Sequence, residues 1–135
     1  MTNKEAFTVP GVSDSAAEVF RYSQAVKRGN MLWIAGQAGT SKDGIVGVGD
    51  VEAQTRHAWQ NIKDLVEAAG GTLHDLVETT TYLTDRSFSR KVNEIRCEVL
   101  PVEPPPTSPI LVVKELAHKD LLVEISAVAV LGTNL

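Results

Sequence analysis

Phe20, Tyr22, Gln24 and Val26 alternate with Arg21, Ser23, Ala25 and Lys27, the two-residue period of a half-buried strand. Arg28-Gly29-Asn30 supplies turn chemistry, and MLWIAG resumes as a second strand. Gly39, Gly44, Gly47 and Gly49 mark the next stretch as loop. From residue 51 the period changes. Thr55, Ala58 and Trp59, Ile62, Leu65 and Val66, and Ala69 form the stripe of one buried helix face, with Asp50 as N-cap and Gly70-Gly71 as the stop. DLVETTTYLTD alternates and is rich in β-branched residues, so it predicts a strand. Asp85 or Ser87 then caps a second helix with Phe88, Val92, Ile95 and Val99 on one face. ILVVKEL and LLVEISAVAVL close the chain as strands joined through AHKD. The expected order is ββαβαββ over a single domain, 1–135. That pattern predicts an α+β fold with two helices on one sheet face. The other face carries enough Val, Ile, Leu and Ala to predict self-association.

Composition narrows the function. At 135 residues the chain has the size of one domain, and its 43% hydrophobic and 22% charged content is that of a globular protein. The net charge of −4 supplies no basic field for a phosphate backbone, so no nucleic-acid partner is expected. Cys97 is the single cysteine, which excludes an internal disulfide and suits a reducing compartment. The opening residues contain no apolar run of a secretion signal, and no stretch is long and apolar enough to span a membrane. A cytoplasmic location is expected. The glycines fit no phosphate-binding loop.

YSQAV, GNMLWIAGQ, QNIKDLVEAAGGTLHDLVETTTYLTD, VNEI and VEISAVAV follow one another from Tyr22 to Val130. In that order and spacing they resemble the Rid (reactive intermediate deaminase) or YjgF-type family. The resemblance implies a chorismate-mutase-like α+β fold, assembled as a homotrimer around a central barrel with the helices outside. It implies clefts between neighbouring subunits, and hydrolysis of a reactive enamine or imine to a keto acid and ammonia. It implies a small-molecule substrate and no cofactor or metal.

Residue by residue, the resemblance assigns Glu124 of VEIS as the group that orients and deprotonates water, a role a carboxylate suits. Its strand neighbours Leu122 and Val128 are apolar, and partial burial there would raise its pKa; the alternative is a carboxylate facing solvent. Tyr22 falls at the cleft wall, and the alternative is an ordinary strand aromatic. Ala35-Gly36 matches a cleft-lining pair that is often Ser-Gly, so a hydroxyl is absent. Asn93 of VNEI matches a cleft or interface asparagine, and a solvated helix position suits it equally. Five of the six prolines lie within residues 101–109, stiffening the approach to a strand. There the family carries an arginine, in a Pro-Ala-Arg-Ser-like motif, that grips the substrate carboxylate. Here Pro105-Pro106-Thr107-Ser108 puts Thr107 in its place, and Pro109 removes a backbone donor. The substrate then lacks a carboxylate or presents it elsewhere, or Arg21 or Arg96 of a neighbour substitutes, or the protein binds a metabolite without transforming it.

His57, His74 and His118 share no metal-ligand spacing, and Cys97 has no evident histidine relay. Trp33 and Trp59 are expected in the core or at subunit contacts. The reading is a hydrolase acting on an enamine or imine with a preference other than 2-aminoacrylate. The alternative is a non-catalytic metabolite-binding trimer.

Overall fold

The computed structural model of the chain describes residues 3–8 and 15–132. Its elements are β1 (Lys4–Phe7), α1 (Ser15–Phe20), β2 (Ala25–Arg28), β3 (Met31–Ala38), β4 (Thr40–Ser41), β5 (Gly44–Ile45), α2 (Val51–Ala68), β6 (Leu76–Leu83), α3 (Ser89–Val99), β7 (Ile110–Val112) and β8 (Val123–Val130). Six strands form one mixed sheet in the order β1-β2-β3-β8-β6-β7, in which only β6 and β7 run parallel. The α+β expectation holds, with three additions: the edge strand β1, the short helix α1, and a hairpin of β4 and β5 in the glycine-rich stretch.

The long helix α2 forms because every local signal agrees. The Asp50 carboxylate accepts the Ala53 N–H at 3.0 Å, and Gly70 follows the helix at φ +93°, where a side chain would be strained. Its stripe of Ala58, Trp59, Ile62, Leu65 and Val66 packs with Leu32 and Ile34 of β3 and Ile125, Ala127 and Ala129 of β8 in one core. Ile62, Leu65 and Val66 are fully buried, each contributing roughly 1.5–3 kcal/mol. Asp85 caps a short 3₁₀ turn, Arg86–Phe88, that leads into α3 rather than capping α3 itself.

The first expected strand is shorter than its alternation suggested. Phe20 ends α1, Arg21 turns the backbone at φ +58°, and the Tyr22 N–H returns to the Ala17 carbonyl at 3.1 Å. Pairing starts only at Ala25. ILVVKEL likewise pairs only over Ile110–Val112. Trp59 is a core residue, whereas Trp33 is 46% exposed.

Along β8 odd-numbered residues are buried against the helices, while on the opposite face Glu124, Ser126 and Val128 are half-buried and Val130 is exposed. That opposite face brings Trp33 beside Val128 and Met31 beside Val130. Between Ile34 and Gln37 the register of β3 on β8 slips by one residue, a β-bulge.

Candidate functional site

Glu124 lies on the uncovered face of β8, in register with Ala38 of β3 and Tyr82 of β6. Its side chain occupies the space over Gly36, just inside the bulge. A methyl group at residue 36 would come within 2.4 Å of Glu124 Oε2. Glycine there makes the seat of the carboxylate. Burial pushes the Glu124 pKa above its ordinary value, because the low-dielectric surroundings disfavour the charged form. Among the described residues no donor hydrogen-bonds this carboxylate.

The seat opens into a cavity of ≈ 760 Å³, a volume suited to a small molecule. Glu124, Gly36, Gln37 and Gln24 meet there, and Tyr22 and Phe20 form part of the wall. Gln37 Nε2 donates to Gln24 Oε1 at 2.9 Å and to the Ala35 carbonyl at 3.1 Å. The rest of the rim comes from the β4–β5 hairpin and from residues 117–121. Asp120 donates its backbone N–H to His118 Nδ1 at 3.1 Å, and its carboxylate lies 3.9 Å from the same nitrogen.

One fully buried side chain holds both rims. Gln54, near the start of α2, donates to the carbonyls of Gly47 (3.1 Å) and Asp120 (2.8 Å) and accepts the Leu122 N–H at 2.8 Å. His57 Nε2 and Asn61 Nδ2 also reach the Thr40 carbonyl, at 2.9 and 3.2 Å. The helix face that fills the core thus also carries the polar groups that position the cavity.

Of the residues singled out in the sequence, Tyr22, Gly36 and Glu124 line this cavity. Ala35 lies one residue outside it, its N–H donating to the Gln24 carbonyl at 2.8 Å. Thr107 and Pro109 lie along the far edge of β6 instead. Thr79 N–H donates to Thr107 O at 2.8 Å and Thr81 N–H to Pro109 O at 3.0 Å, while the Thr107 hydroxyl donates to Val77 O at 3.3 Å. Asn93 on α3 has a buried Oδ1 with no partner among the described residues. One turn on, the Arg96 guanidinium hydrogen-bonds the Ser108 hydroxyl. Sequence reasoning passed over Gln54, the Gln24–Gln37 pair, and His118 with Asp120 as rim groups. Gln54 did leave a signal: it falls on the apolar stripe four residues before Ala58. Among the described residues no three His, Cys, Asp or Glu side chains converge as a metal site.

Gly36→Ala is expected to expel the carboxylate rather than unfold the strand. The Gly36 backbone does not need the left-handed region, and the atoms in the way belong to the mobile end of a side chain. Titrating Glu124 by carboxyl-detected NMR should show its pKa falling back toward the ordinary glutamate value, with little change in Tm.

The family model for endoribonuclease L-PSP matches residues 13–131. A RutC family protein of Pyrococcus horikoshii is 43% identical over 109 residues, covering 80% of this chain and 85% of that protein. The crystal structure of a YjgF/YER057c/UK114 family member from Mycobacterium tuberculosis is similar with a TM-score of 0.78 at 34% identity, over 90% of this chain and 98% of that one. The structure of a conserved Rid family protein from Yersinia pestis gives a TM-score of 0.84 at 28% identity, over 95% and 99%.

Proposed function

This chain belongs to the endoribonuclease L-PSP family, which includes the RutC and Rid/YjgF proteins, and from that premise we propose that it hydrolyses a reactive enamine or imine to a carbonyl compound and ammonia. The observation that carries this reading is the half-buried Glu124 carboxylate seated over Gly36 at the inner end of the cavity. Such a carboxylate can hold a water against a C=N carbon and take its proton. Its raised pKa makes it a stronger base than an exposed glutamate once ionised. The water oxygen bonds to carbon, and the proton passes through Glu124 to nitrogen. The adduct's hydroxyl proton then follows to nitrogen, the carbonyl forms, and the C–N bond breaks with its electron pair leaving on ammonia. Tyr22 walls the cavity, and Gly36 makes room for the Glu124 carboxylate.

A homotrimer completes the cleft in this proposal. The uncovered sheet face, with Trp33 beside Val128, would be buried between subunits. Each cavity would then receive the Thr107–Pro109 edge, Ala35 and Asn93 from the two copies that meet there. Trp33→Asp places a charge in that contact. The expected result is a fall in mass by light scattering from about three chains to one chain of 14.6 kDa, with far-UV circular dichroism unchanged. A wild-type protein that is already monomeric at micromolar concentration overturns the assembly.

The catalytic reading is tested by supplying imines generated in situ and measuring ammonia release above the uncatalysed rate. Acceleration supports it; ligand binding without acceleration would make the protein a metabolite-binding scaffold. A ribonuclease role fits poorly, because carboxylates line the cavity and the lining contains no lysine or arginine among the described residues.

A further inference from the structure

We propose that the cavity selects imines that carry no carboxylate and bear a positive charge at nitrogen, and that Asp120 is the residue that sets this preference. The inference rests on the deaminase reading and names its substrate class.

The charges that face the cavity set which substrates it favours. Its ionisable side chains, among the described residues, are Glu124, Asp120, His118 and Tyr22; no lysine or arginine lines it. A working Glu124 is ionised, and Asp120, whose carboxylate lies 3.9 Å from His118 Nδ1, adds a second carboxylate; with the His118 imidazole neutral the lining is net negative. A substrate carboxylate entering this space meets like charge in a partly desolvated setting, whereas an iminium nitrogen meets opposite charge. The iminium is also the form that water attacks most readily, so one electrostatic arrangement both recruits and activates it.

The second observation lies at position 107. A ligand carboxylate docking near the Thr107–Pro109 edge would need a donor. The Thr107 N–H and its hydroxyl both go to the Val77 carbonyl, at 3.0 and 3.3 Å, and Pro109 has no N–H. Arg96 donates one guanidinium N–H, at Nη1, to the Ser108 hydroxyl. The Thr107–Pro109 segment itself therefore carries no anion-binding fork. The remaining wall favours an apolar substituent: Phe20, Tyr22, Ile45, Val48 and Leu121 all face the cavity. The substrate class that fits is a protonated imine of a hydrophobic amine.

The reaction balances without a further reagent. Water adds to R–CH=NH₂⁺, its proton passing through Glu124 to nitrogen, and the adduct separates into the aldehyde and ammonium.

Two imines that differ only by the carboxylate provide the test. Phenethylamine with an amine oxidase generates one, and phenylalanine with an amino-acid oxidase generates the other. Ammonia release is followed with the full-length wild type and with Asp120→Asn. The expected result is a kcat/KM for the phenethylamine-derived imine at least about tenfold above that for the imino acid, a difference of about 1.4 kcal/mol. In Asp120→Asn that ratio should narrow several-fold. A higher kcat/KM for the imino acid overturns the substrate class and leaves deamination standing. A ratio unchanged in Asp120→Asn overturns the role of Asp120. Acceleration of neither imine overturns the deaminase reading itself, and this inference with it.

Discussion

Glu124→Gln is expected to lower imine hydrolysis by a factor of about 10²–10⁴, the usual contribution of a positioned acid–base group, and to raise stability at neutral pH. The amide fills the same seat over Gly36 but cannot take a proton from water. The stability change follows from linkage. Burial raises the folded-state pKa of Glu124 above the unfolded value of 4.5. Below 4.5 the side chain is protonated whether folded or unfolded, and burial costs nothing extra. As pH rises from 4.5 through the raised folded value, the wild type must ionise in a half-buried site and loses stability relative to the unfolded chain. Glutamine has no such loss. The Tm difference between variant and wild type should therefore open across that interval and level off above it. Catalysis by the wild type should rise over the same pH range, as the base becomes ionised. A variant with unchanged turnover ends the assignment of Glu124 as base. A Tm difference that ignores pH ends the burial argument.

Gln54→Leu is expected to destabilise the fold by about 3 kcal/mol, a large share of the 5–15 kcal/mol typical of a domain. Leucine matches the volume but leaves the carbonyls of Gly47 and Asp120 and the Leu122 N–H without their partner. At fixed protein concentration the Tm should fall by roughly 10 °C. The damage should also be local: amide exchange should quicken around residues 47–48 and 118–122, both on the cavity rim, before the core opens. A loss of stability spread evenly over α2 and the sheet would show that Gln54 acts through packing alone.

The parts of the fold that could be read in advance are those where local signals agree. For α2 the cap at Asp50, the buried stripe and the stop at Gly70 all point one way, and the structure follows them. The residues before Ala25 misled because alternation over a few positions also fits a short helix followed by a bend. Phe20 closes α1, and the left-handed Arg21 sets the direction of Tyr22. Nothing in the spacing marks that reversal. At the site, Glu124, Gly36 and Tyr22 could be named from motifs and do border one cavity. Gln54 and the Gln24–Gln37 pair could not be named from motifs. An amide in a core is explained by its partners, and those of Gln54 on residues 120 and 122 lie 66 and 68 positions away. Thr107, Pro109 and Asn93 stand apart from the cavity within one chain, so their relation to it depends on how copies assemble.

The slipped register between Ile34 and Gln37 has an implication for how this strand tolerates editing. Upstream of it the even-numbered Leu32 and Ile34 point to the helices; downstream the odd-numbered Gln37 pairs with the core residue Ile125. Removing one residue there would straighten the ladder with Gln37 still opposite Ile125 and Ala38 still opposite Glu124, so the loss would fall on the bulge itself, the Ala35-Gly36 step that seats the carboxylate. Length is therefore frozen across these few positions. A few residues on, the tip of the β4–β5 hairpin at Lys42 and Asp43 lies at the exposed end of two-residue strands, and extra residues there could be absorbed without disturbing the phase of the sheet.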